Sequence, residues 1–160
     1  MTSISLTHVG SPTCEPLHYT ACGLDNVYLK SGYVVREVAG ERYISVRDVE
    51  DLHETIAVYL VRQKKVLSGR EIRFLRKHLE LTQRDLGGFI GVSDQSVARY
   101  EKDLTKLEGA SDSLLRLLVA GHVTGCIDVQ KELTNIQAAD DAADDVVTLG
   151  MDDDEWKIAA

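Results

Sequence analysis

The chain has 160 residues, 44% of them apolar, a formal charge of −8 and three cysteines. That length holds one or two small domains with enough apolar surface for a core. No run approaches the ~20 apolar residues of a membrane-spanning helix, and the N-terminus lacks a basic-then-apolar signal sequence, so a cytoplasmic location without a membrane partner is expected. Cys14, Cys22 and Cys126 are odd in number and widely spaced, which gives no disulfide framework and agrees with a reducing compartment.

In chain order, the first elements are β-branched and aromatic runs at Val27–Leu29, Tyr33–Val35 and Tyr43–Val46, separated by the turn signals Ser31-Gly32 and Ala39-Gly40-Glu41. They predict a small antiparallel sheet in an N-terminal module over residues 1–47. Asp48 then caps a linking helix, 48–67, in which Val49, Leu52, Ile56 and Leu60 share a face before the basic patch Arg62, Lys64 and Lys65 and the final Leu67. His53 lies near Asp51 and Glu54 on a polar face and is expected to be solvated.

Ser68-Gly-Arg-Glu71 reads as a capping box, and Ile72, Leu75 and Leu79 recur at helical spacing, with Arg70, Arg73, Arg76 and Lys77 around the other faces. The most informative stretch follows, TQRDLGGFIGVSDQSVARYE, residues 82–101. Thr82 caps a helix with Asp85 in its first turn, Leu86 and Phe89/Ile90 point one way, and Gly91 supplies a left-handed turn plugged by Val92. Ser93 caps a second helix in which Val97 and Tyr100 point inward, leaving Asp94, Gln95, Ser96 and Arg99 outward. For base readout the expectation rests on Gln95, Ser96 and Arg99, with Gln83 and Ser93 placed against phosphate; Arg84, Asp94 and Lys102 complete the expected DNA-binding set. Gly87-Gly88 is an unusual pair inside a helix, and Gly87, beside Leu86, is expected where the two helices meet, with Gly88 freer.

Lys102–Lys106 reads as a loop to a last helix, capped near Ser111 and carrying Leu114, Leu115, Leu117, Leu118 and Val119, which are expected to close the core and to offer a dimer surface. The helix-turn-helix domain is thus 68–125. The charge is segregated: residues 128–160 hold ten acids and two bases, whereas residues 62–106 hold eleven bases and six acids. The region carrying the motif is basic, as phosphate binding requires. Residues 126–160 read as an acidic, disordered tail, either solvating, or ordering on a basic partner with Trp156 and Ile158 as anchors, or folding over the chain's own basic surface.

The residues Thr82-Gln83, Leu86, Gly91-Val92-Ser93, Val97 and Tyr100-Glu101 resemble the phage repressor and Cro-like helix-turn-helix family. That resemblance implies an all-α, lambda-repressor-like domain within an α+β chain, acting as a homodimer on an inverted repeat of double-stranded DNA. The order of parts over residues 19–120, Cys22-Gly23, short strands, a linking helix and then the motif, also resembles the zinc-finger/helix-turn-helix (MqsA-like) antitoxins, and implies an autoregulating antitoxin with a toxin protein as partner. In that family two Cys-x-x-Cys pairs bind zinc; here only Cys22 of the first pair is present. Cys14, His18 and Cys22, with His8, could supply four ligands, but at no standard spacing, so no metal and no cofactor are expected. The alternative is a stand-alone regulator of a phage or mobile-element operon. No phosphate-binding glycine loop, nucleophile elbow or HExxH occurs, and no catalytic residues are expected.

Overall fold

The computed structural model describes residues 5–7, 15–125 and 146–159. His8, Cys14, Cys126 and most of the acidic stretch, residues 126–145, lie outside the described residues. The elements run β1 (Ser5–Thr7), β2 (Leu17–His18), β3 (Val27–Leu29), β4 (Tyr33–Val38), β5 (Glu41–Val46), α1 (Val49–Gln63), α2 (Gly69–His78), α3 (Gln83–Ile90), α4 (Asp94–Tyr100), α5 (Gly109–Thr124), β6 (Val147–Asp152) and β7 (Glu155–Ile158). The chain is α+β, with antiparallel strands first and then five helices.

Ala39 (φ 54°) and Gly40 (φ 82°) give β4 and β5 a two-residue turn with two positive φ angles, the twist a tight hairpin needs. With β1 they make the expected antiparallel sheet, in the order β1-β4-β5. β3 does not join it. It belongs to a second sheet, β2-β3-β6-β7, in which β3 and β6 run parallel, Val27 opposite Val147 and Leu29 opposite Leu149.

The C-terminal end therefore differs from the structureless tail expected there. Residues 147–158 form a hairpin. Val147 and Leu149 alternate inward, and the acids that made the segment read as a tail occupy its turn. Asp153 and Asp154 both take positive φ, a conformation that aspartate tolerates. Trp156 is 4% exposed and sits in its own chain's core, so it is unavailable as an anchor for a partner.

The hairpin is fastened to the start of α1. The Trp156 indole N–H reaches the carbonyls of Arg47 and Asp48, both at 3.1 Å. Its backbone N–H donates to the Asp51 carboxylate at 2.7 Å and its carbonyl accepts from the Thr55 hydroxyl. Asp48 caps α1 as expected, accepting from the Asp51 N–H. α1 ends at Gln63, however, and does not run on to Leu67. The cause is Arg116 of α5. Its buried guanidinium donates to the carbonyls of Leu60, Val61, Lys64 and Lys65 and to the Asp112 carboxylate at 2.8 Å, so a side chain from α5 satisfies the orphan carbonyls of α1.

Leu52, Ile56 and Leu60 of α1 share one buried cluster with Ile72 and Leu75 of α2, Leu115 and Val119 of α5, and Val27, Leu149 and Trp156 of the second sheet. Leu115 and Val119 thus serve the chain's own core, and of the expected dimer surface Leu114 is left exposed. α5 starts at Gly109, and Ser111 is not its cap: its hydroxyl donates to the Ile90 carbonyl at 3.1 Å, tying α5 to α3. Among the described residues no helix is long and apolar enough to cross a membrane.

His53 is half-buried rather than solvated. Its ring meets the Tyr19 hydroxyl at 3.1 Å and opens a row of rings, His53–Phe74 (5.6 Å), Phe74–His78 (6.3 Å) and His78–His122 (5.5 Å), that joins α1, α2 and α5. Burial, and then repulsion from His78, hold His53 below the ordinary histidine value; burial, and then His122, do the same for His78, against a smaller opposing pull from Glu54. The His78 Nε2 is buried without a hydrogen-bond partner among the described residues. Both groups gain protons more readily unfolded than folded, so stability is full above about pH 6.5 and is lost as pH falls below it. Thermal melts at pH 7.5 and 5.5 should show a lower Tm at 5.5, and His78→Gln should flatten the difference. A Tm independent of pH across this window contradicts the packing of the rings.

Candidate nucleic-acid interface

Residues 68–101 fold as three capped helices whose ends are set by local chemistry. Ser68 and Glu71 form the expected capping box on α2, and Glu71, nearly fully buried, also accepts from Lys64 at 2.9 Å. On α3, Thr82 and Asp85 form a second box, in which the hydrogen bonds from Thr82 hold the Asp85 carboxyl below its usual range. Gly91 ends α3 at φ 74°, and Ser93 caps α4 by accepting from the Ser96 N–H at 3.1 Å.

Two contacts fix the angle between α3 and α4. Val97 is fully buried. A Cβ on Gly87 would lie 2.6 Å from the Val92 carbonyl oxygen and 3.3 Å from the Ser93 carbonyl carbon, so the turn backbone passes directly over it. Gly88 has nothing within 4 Å of such a Cβ. Phe89 does not share the inward face of Leu86 and Ile90; it is 57% exposed.

A third contact ties α4 back to α2. The Glu101 carboxylate receives Arg76 twice, at 2.5 and 3.2 Å, and the Gln83 side-chain amide at 2.9 Å. Burial opposes its ionisation, but the hydrogen bonds from Arg76 and Gln83 and the charges of Arg76 and Arg73 outweigh burial, and its carboxyl sits below the usual carboxylate range. The remaining Arg76 nitrogen donates to the Leu81 carbonyl. Sequence reasoning missed this pairing, because Arg76 and Glu101 lie 25 residues apart and Arg76 reads as one of several surface bases.

The expected DNA-binding residues therefore fall into two groups. Gln95, Arg99, Arg84 and Lys102 are exposed. Gln83, Ser93, Asp94 and Ser96 are engaged within the motif: Gln83 on Glu101, the Ser93 hydroxyl on that of Ser96 at 2.9 Å, and Asp94 on the Gln95 N–H at 2.8 Å. The structure brings all eight together along α3, α4 and the turn that follows. Among the described residues no three His, Cys, Asp or Glu side chains converge on a metal position. His18 is turned onto the Asp25 carbonyl and stacks on Tyr28, and the Cys22 thiol faces the Tyr19 carbonyl; the other two candidate ligands, His8 and Cys14, lie outside the described residues.

Residues 72–109 match the family model of the helix-turn-helix. No curated protein and no solved structure matches the chain.

The steric contrast in α3 gives a direct test. Gly88→Ala should raise stability by about 0.5–1 kcal/mol, because alanine removes backbone entropy from the unfolded chain without meeting anything. Gly87→Ala should lower it by ~1–3 kcal/mol, because the Val92 carbonyl has to move. Urea denaturation of the two variants decides this, and the reverse ranking contradicts the packing. Geometry and family match coincide on the same residues, and together they support a DNA-binding transcription regulator.

Proposed function

We propose that this protein is a sequence-specific repressor that binds a double-stranded operator as a homodimer, with α4 in the major groove. The observation that supports this is the division of α4. Val97 and Glu101 are fixed by the core and by Arg76, while Gln95 and Arg99 stand exposed one helical turn apart. Gln95 suits adenine and Arg99 suits guanine. Ser96, half-buried, is left a minor contact, and Arg84, Lys102, Gln83, Ser93 and Asp94 serve phosphate and the placement of the helix.

Two copies are what an inverted repeat requires, since a module of this size alone covers one half-site. The module leaves Phe89, Leu104 and Leu114 exposed, at 57%, 65% and 40%, as apolar surface for that contact. Within this reading we favour an autoregulating antitoxin over a stand-alone regulator. What supports it is the β-rich part built outside the motif, whose strand β5 exposes Tyr43 and Ile44, at 54% and 45%, as a surface for a toxin protein.

Operator selected from a random DNA pool should bind with a log–log salt slope near −4 to −5, as for about five phosphate contacts. Arg99→Ala should relax selection at one position per half-site at a cost of ~1–3 kcal/mol. Binding independent of salt, or no selected sequence, contradicts the proposal.

A further inference from the structure

One face of α2 is not used by the motif. Arg70, Arg73 and Lys77 follow one another at spacings of three and four residues, so they stack along one side of the helix, where like charges repel. That side forms the wall of a cleft of about 380 Å³ whose opposite wall is the Cys22-Gly23 turn and whose lining includes Phe74 and Glu101. The volume lies within the ~300–1,000 Å³ of small-molecule sites. The two anions at hand are already committed. Asp25 pairs with Arg70, and Glu101 is taken by Arg76 and Gln83. Arg73 and Lys77 are exposed and make no ion pair within 4 Å among the described residues, the Arg73 charge reaching Glu101 only from further off. Phe74 is held in place by the rings of His53 and His78 on either side, so it gives the cleft a fixed apolar surface.

We infer that this cleft binds a phosphate group, held by Arg73 and Lys77 with Arg70 at its rim, between the Cys22-Gly23 turn and α2. A tetrahedral dianion offsets the repulsion along α2, and the planar guanidinium of Arg73 suits paired phosphate oxygens. The phosphate comes either from a free phosphorylated compound or from the DNA backbone outside the half-site. The inference does not rest on the operator-binding reading, because a free phosphate compound can occupy the cleft of a protein that binds no DNA.

The test uses the full chain, the double variant Arg73→Ala/Lys77→Ala, and a control, Arg36→Ala/Arg42→Ala, which removes two exposed bases from the β4–β5 hairpin. All four side chains are exposed, and melting curves in chloride buffer verify that each variant folds. Inorganic pyrophosphate, added at ionic strength matched with chloride, should raise the Tm of the parent and of the control but not of the Arg73/Lys77 variant if the source is a free compound. If the source is DNA, pyrophosphate has no effect, and the salt slope for duplex DNA falls by about 2 in the Arg73/Lys77 variant alone, as for two lost phosphate contacts. Equal responses from the two double variants in both assays, or no response from either, overturn the site. Loss of DNA binding in the parent leaves the pyrophosphate result standing by itself, so the two proposals fail separately.

Discussion

Arg116 is the residue on which the rest of the structure depends. A guanidinium 1% exposed is costly to desolvate, and it is tolerated because its three nitrogens find five acceptors, one carboxylate and four carbonyls. Those carbonyls are the C-terminal end of α1 and the two residues after it, where the partial negative charge of the helix gathers. One side chain therefore caps the end of α1, holds the first two residues of the link to α2 and fixes α5 against both. A lysine has neither the planarity nor the number of donors for this.

α1 is held at its other end by Trp156, so the helix between the β-rich part and the DNA-binding module is fastened at both termini by residues from far away in the sequence. The consequence for function is geometric. Glu71, at the first turn of α2, accepts from Lys64 at the end of α1 and lies 3.5 Å from the Asn26 amide of the N-terminal part. Arg76, about one and a half turns further on, holds Glu101 at the end of α4. A chain of largely buried polar and charged contacts thus runs from Asn26, just before β3, through α2 to the helix with the exposed polar row. Buried charges of this kind demand their partners, which makes the orientation of α4 specific even where the net stabilisation is small.

The motif was legible because its signals are local: caps at Ser68, Thr82 and Ser93, a positive-φ glycine at 91, and apolar spacing within eight residues. The steric role of Gly87 was legible for the same reason, since its neighbour across the turn lies only five residues away. Phe89 was misread because a short amphipathic helix offers too few positions to separate the edge of a face from its centre. What composition concealed was long-range. Val147 and Leu149 have a strand's alternation, but they sit next to acids, and the partner that makes them a strand, β3, is some 120 residues earlier; Trp156 follows on β7, the strand that pairs with theirs. The same holds for Arg116, which looks like a single base in a leucine-rich helix until the end of α1 is placed beside it, and for His53, whose ring neighbours are Tyr19, 34 residues earlier, and Phe74 of α2.

The central claim is that Arg116 and Trp156, at opposite ends of α1, make the strands and helices one cooperative unit. Trp156 is the sole tryptophan, so its fluorescence reports the C-terminal hairpin while far-ultraviolet circular dichroism reports the helices. The most direct measurement is urea unfolding of Arg116→Ala followed by both signals on one sample. The account predicts that both transitions move together to lower urea, by about 3–5 kcal/mol, as for loss of one partner of a buried pair. A helical transition that shifts while the Trp156 transition stays at its original midpoint contradicts it.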